Sequence, residues 1–144
     1  MPAPEPGLVI RYSYLWRDEA RRGQQEGSKD RPCAVVLALL QGESGTLVMV
    51  APITHSPPDA ATSAIEIPWK VSEHLGLDDD RSWIIASEVN TFTWPGPDIR
   101  PVDTSVPERA FSYGHLPRAL SLQVRDLVSL ELRKRRLGLT NRDA

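Results

Sequence analysis

A chain of 144 residues and 16.0 kDa is sized for one domain with a core of its own, and its one cysteine, Cys33, excludes an intramolecular disulfide. The formal charge of −2 and pI near 5.9 give no global attraction to nucleic acid, so any such binding has to come from local cations. No apolar run is long enough to cross a bilayer and the first six residues are proline-rich and acidic, so a cytoplasmic protein with no membrane partner is expected.

After that flexible tail, Leu8 to Tyr14 is rich in β-branched and aromatic residues, with Leu8, Ile10, Tyr12 and Tyr14 on one face of a first strand. A long polar connection from Trp16 to Arg31 follows, the kind of segment that carries function in a compact domain. Its last part, Gly23-Gln-Gln-Glu-Gly-Ser-Lys-Asp-Arg-Pro32, runs into the apolar stretch Cys33 to Leu40, which reads as a central strand buried on both faces. The turn Gln41 to Gly45 makes a β-hairpin with Thr46 to Ile53, and Ser56-Pro57-Pro58 stops the ladder with Thr54 at the strand end. Ala64 to Ile67, Trp83 to Ala86 and Thr91 to Trp94 are further short strands, with a helical turn between Val71 and Leu77. From residue 117 to about 137 the period becomes helical, with Leu116, Leu120, Val124, Leu127 and Leu130 near one face and Arg133 to Arg136 in the last turn. The expected architecture is mainly β with a C-terminal helix, a small barrel or sandwich, in a single domain spanning residues 7–144.

The chain has no phosphate-cradling glycine motif, no histidine pair at metal spacing and no serine in a nucleophile elbow, so neither a metal nor a cofactor is expected. What it does have is a loop with Glu26, Lys29 and Arg31, a threonine and a histidine (Thr54, His55) at the end of the hairpin partner, and Glu88 and Asn90 at a later strand end. An arginine fork matches two phosphate oxygens and a threonine hydroxyl adds a neutral donor. RNA brings its own nucleophile in the 2′-hydroxyl, so metal-free RNA cleavage is the chemistry such a set could carry. The plainer assignments are a surface ion pair of Arg31 with Glu26 or Asp30, and a turn cap for Thr54.

The Glu26-to-Pro32 loop before a buried strand, followed by Val50-Ala-Pro-Ile-Thr54 on its partner, resembles the MazF/PemK family of toxin endoribonucleases. The resemblance implies an SH3-like barrel, a homodimer, cleavage of single-stranded RNA at short sequences, and neutralisation by a cognate antitoxin. By the same resemblance Arg31 is the catalytic arginine and Thr54 holds the scissile phosphate. Glu26 is the candidate base, and Lys29, His55, Glu88 and Asn90 are candidate substrate contacts. Two alternatives are a toxin of the same fold that binds DNA gyrase without catalysis, through its C-terminal helix, and a non-toxic interaction domain. The proline-rich segment Trp94 to Pro101 is longer than in compact members of the family.

Overall fold

The computed structural model describes residues 1–78, 80–103 and 105–143. Among them nine strands and three α-helices follow in the order β1 (Leu8–Tyr12), α1 (Arg17–Arg21), β2 (Arg31–Leu40), β3 (Thr46–Thr54), β4 (Ala64–Glu66), α2 (Trp69–Leu75), β5 (Trp83–Ile85), β6 (Glu88–Thr93), β7 (Ile99–Arg100), β8 (Gly114–His115), α3 (Arg118–Arg133) and β9 (Gly138–Asn141). The fold is mainly β, with one connected sheet and a helix near the C-terminus. No helix among the described residues is long and apolar enough to cross a membrane.

β2 lies between β1 and β3, antiparallel to both. The outer edge of β3 is divided, Leu47–Val50 pairing with β6 and Ile53–Thr54 with β5. The outer edge of β1 is divided in the same way between β8 and β7. Each central strand therefore hands over from one neighbour to another along its length, and its two faces serve two cores. On one face Leu8, Ile10, Tyr12 and Tyr14 pack with Cys33, Val35, Val48, Val50 and Phe92, as the period-two pattern of β1 predicts. On the other, Val9, Ala34, Ala51 and Ile53 meet Leu120, Val124 and Val128 of α3.

β2 departs from the expected two-sided burial in its second half. A bulge between Val35 and Leu37 inserts one residue, which inverts the alternation of side chains. Cys33 and Val35 face the aromatic core before it, Ala38 faces that core after it, and Leu37, Leu39 and Leu40 turn outward. Helix α3 also differs from expectation, ending at Arg133 rather than near residue 137. Its end is a Schellman motif: Arg136 N–H donates to the Glu131 carbonyl at 2.8 Å, and Arg135 N–H to that of Leu132 at 3.0 Å. Arg135 holds the left-handed conformation (φ 58°) usually given to glycine, at a cost of about 1–2 kcal/mol. The chain then enters β9, a strand the sequence pattern did not predict, which runs parallel to β6, Glu88 opposite Gly138 and Thr91 opposite Asn141.

Candidate active site

In the β2–β3 ladder Cys33 faces Pro52 and Ala34 faces Ala51. Continued outward by two residues, that register sets Arg31, the first residue of β2, across from Thr54, the last of β3. Both line a cleft of about 310 Å³ with Lys29, His55, Asp78 and Tyr113. Both also line a wider adjoining cleft of about 440 Å³, together with Trp16, Pro58, Ile85 and Glu88. The Arg31 guanidinium lies 4.9 Å from the centre of the Trp16 ring, a cation–π contact worth about 0.5–2 kcal/mol. Its Nε is enclosed and has no hydrogen-bond partner among the described residues, and no described carboxylate lies within ion-pair distance. The surface ion pair is thereby set aside, since Asp30 lies instead 3.8 Å from Arg100. Thr54 does cap a turn, Oγ1 accepting from Ser56 N–H at 3.1 Å, yet as an acceptor it keeps its own proton for donation into the cleft.

Glu88 opens β6 at the edge of the wider cleft. Its Oε1 accepts two hydrogen bonds at 3.0 Å, from the Tyr14 hydroxyl and from Arg17 N–H, which fix the carboxyl's orientation. Burial pushes its pKa above the ordinary glutamate value, outweighing the opposing effect of those two bonds. Tyr14 in turn meets the Trp16 ring edge-on at 5.2 Å, so the aromatic pair supports both the carboxyl and the arginine. A carboxyl held at its Oε1, raised in pKa and lining the same cleft as an arginine is suited to accept a proton.

Two polar side chains and one glycine, none of them a predicted site residue, hold this arrangement. Glu19 of α1 accepts from Trp16 N–H at 3.0 Å, from Gln24 Nε2 at 3.3 Å and from the Ser28 hydroxyl, tying both ends of the polar loop to one carboxylate. Burial alone would raise its pKa; these hydrogen bonds outweigh burial and hold it below the usual range. Gly27 presses on the chain just after β1 so closely that a Cβ would sit 2.1 Å from the Tyr14 carbonyl oxygen, so no side chain fits. Arg142, beyond β9, is the third. It donates to the carbonyls of Ser13 at 2.6 Å and Gln25 at 3.3 Å, pairs with Asp98 at 3.1 Å, and lies 5.4 Å over the Tyr12 ring.

The expected contacts divide accordingly. Lys29 is exposed and lines both clefts, while Glu26 is exposed and lines neither, its carbonyl accepting from Gln24 at 3.1 Å. Asn90, expected at the rim, is fully buried. Its Oδ1 accepts from Leu15 N–H at 2.9 Å and its Nδ2 donates to the Leu15 carbonyl at 2.8 Å, so it aligns the segment that carries Trp16 and is closed to a substrate. His55 forms part of the smaller cleft's wall, with Nε2 2.9 Å from Asp78 and Nδ1 3.0 Å from the Arg81 carbonyl. The donor atoms of His55, Asp78 and Asp80 lie within 4.8 Å of one another, the one such group among the described residues, and all three residues are exposed. Cys33 is fully buried and its thiol is pushed up in pKa by that burial, which removes it as a nucleophile. The Trp94-to-Pro101 segment lines none of these clefts; Trp94 stacks on Phe92 at 6.2 Å and Asp98 receives Arg142. No family model matches the chain, and no curated protein sequence matches it.

Proposed function

We propose that the protein is a metal-independent endoribonuclease that cleaves single-stranded RNA, a growth-arresting toxin of the MazF/PemK kind. In this reading the bent sheet is an SH3-like barrel, and the protein is a cytoplasmic homodimer held in check by a cognate antitoxin. The observation that carries the reading is the Arg31 guanidinium, free of any described carboxylate and held on Trp16 in a cleft across from Thr54.

The fork of Arg31 spans two non-bridging phosphate oxygens as negative charge grows on them, and the Thr54 hydroxyl donates to the same group. Glu88, rather than Glu26, is our candidate to take the 2′-hydroxyl proton, because it lines the wider cleft together with Arg31 and Thr54 while Glu26 lines no wall of it. The 2′-oxygen then bonds to the adjacent phosphorus and the 5′-oxygen leaves, taking a proton from solvent. The products are a 2′,3′-cyclic phosphate and a free 5′-hydroxyl.

Purified protein should cut a long single-stranded RNA in EDTA. Arg31→Ala should lower kcat about 100- to 1000-fold and Thr54→Val about 10- to 100-fold, matching about 2.7–4 and 1.4–2.7 kcal/mol of lost transition-state stabilisation. Intact RNA after prolonged incubation at micromolar wild-type protein, or equal cutting by a folded Arg31→Ala protein, refutes the reading.

A further inference from the structure

Two exits lead from the cleft that holds Arg31 and Thr54, one walled by carboxylates and the other of mixed charge (Lys29 and Arg31 with Asp59 and Glu88) leading toward a run of cations. On the side shared with Asp78 a groove is walled by Glu66, Glu73, Asp78 and Asp80, with Arg81 already engaged by Glu66 at 2.8 Å. On the other side the wall reaches Thr62 and Ser87. The residue after Thr62, Ser63, donates its hydroxyl to Glu131 of α3, and the Ser87 carbonyl accepts from Gly138 N–H at 2.9 Å. Those two bonds fasten the turn between α3 and β9 to the cleft wall. That turn carries Arg133, Lys134, Arg135 and Arg136, all exposed, and only Arg136 is committed to a described carboxylate, at 2.9 Å from Glu131. Arg17 bridges the interval, its Cδ lying where a Cβ on Gly138 would be 2.9 Å away and its backbone N–H holding Glu88.

Capping of the helix dipole accounts for a cation or two in the last turn, not for a run of four. Nor does it account for an arginine at the left-handed position that glycine fills without strain. We propose that this turn is a phosphate track: single-stranded RNA leaves the cleft past Glu88 and Arg17, and its backbone runs over Arg133, Lys134 and Arg135. The acidic groove repels the strand on the opposite side, so the path has one direction. Phosphate contacts of this kind give affinity and register but no base preference. The track rests on the RNA-cleaving reading and adds to it a binding site outside the scissile position.

The test uses fluorescein-labelled 2′-O-methyl oligonucleotides of random sequence, four and twelve nucleotides long, which bind without being cut. The full chain is compared with the triple variant Arg133→Ala, Lys134→Ala, Arg135→Ala by fluorescence anisotropy across a salt series. Arg136 is kept because it completes the Glu131 pair. The expected result is about a tenfold loss of affinity for the twelve-mer, a salt slope smaller by about 2, and little change for the four-mer. Unchanged twelve-mer binding overturns the track alone and returns the turn to helix capping. Equal loss on both lengths also overturns it, since the effect then lies in the cleft. Wild-type protein that binds neither oligonucleotide overturns the RNA reading together with the track.

Discussion

Arg142→Ala tests the idea that the C-terminus braces the loop preceding Arg31. The Arg142 side chain is only 4% exposed and its ion-pair partner Asp98 14%, so solvent screens the pair little. Removing the cation strands the Asp98 carboxylate, with Arg100 at 4.0 Å as a weaker neighbour, and leaves the carbonyls of Ser13 and Gln25 without that donor. Breaking a buried pair from one side costs about 3–5 kcal/mol. For a chain of 144 residues the unfolding entropy is about 0.3 kcal/mol/K, so Tm should fall by about 10–17 °C. Thermal unfolding followed by circular dichroism reads this directly. Because the Gln25 carbonyl belongs to the loop that delivers Arg31, RNA cleavage at a temperature where the variant is still folded should also decline. A Tm within about 3 °C of wild type would refute the brace.

Glu88→Gln keeps an oxygen acceptor for Tyr14 and Arg17 but has no charge to bury. Wild-type Glu88 binds its proton more tightly folded than unfolded, so between its ordinary value of 4.5 and its raised folded value stability falls as pH rises. The glutamine variant should therefore melt higher than wild type above that window, lose its advantage below pH 4.5, and cut RNA at least 100-fold more slowly. In wild type kcat/KM should fall on the acid side with a midpoint above 4.5, and Glu26→Ala should keep that profile; a flat profile, or full activity in Glu88→Gln, counts against Glu88 as base. Arg135→Gly should raise stability by about 1 kcal/mol by relieving the left-handed strain while weakening twelve-mer binding, an opposition that denaturant melts and anisotropy together would reveal or exclude.

Arg31 and Thr54 were legible in the sequence because a hairpin is a local structure. The turn at Gln41 to Gly45 sets two strands of similar length, and residues at their outer ends come together whatever the rest of the chain does. The face shared by Leu8, Ile10, Tyr12 and Tyr14 was legible for a similar reason, since alternation is a property of the strand itself. Asn90 was not, because the partner that takes it out of the cleft is the backbone of Leu15, and nothing near Asn90 announces it. Glu26 attracted attention by its place in the loop, yet loop membership does not determine which way a carboxylate points. The parallel pairing of β9 with β6 joins segments about fifty residues apart through main-chain bonds, so its four residues, just after the end of a helical pattern, carried no distinctive signal. The outward turn of Leu37 and Leu39 depends on one inserted residue at the bulge, which a uniform apolar run hides.

The brace also changes how catalysis and passive binding are told apart. A toxin that acts by binding through its C-terminal helix is ordinarily tested by truncation. Deletion after Asn141 would remove Arg142 and also Asp143, which accepts from Thr93 N–H at 3.1 Å and its hydroxyl at 2.7 Å. Such a deletion loosens the Arg31 loop and the edge of β6 together, so a catalytic protein and a binding protein would both lose function. Arg31 separates them because its guanidinium is held only by the Trp16 face among described groups, and its removal leaves the Arg142 and Glu19 networks in place. A folded Arg31→Ala protein that still arrests growth must act by binding, whereas one that has lost both cleavage and arrest assigns the toxicity to the cleft.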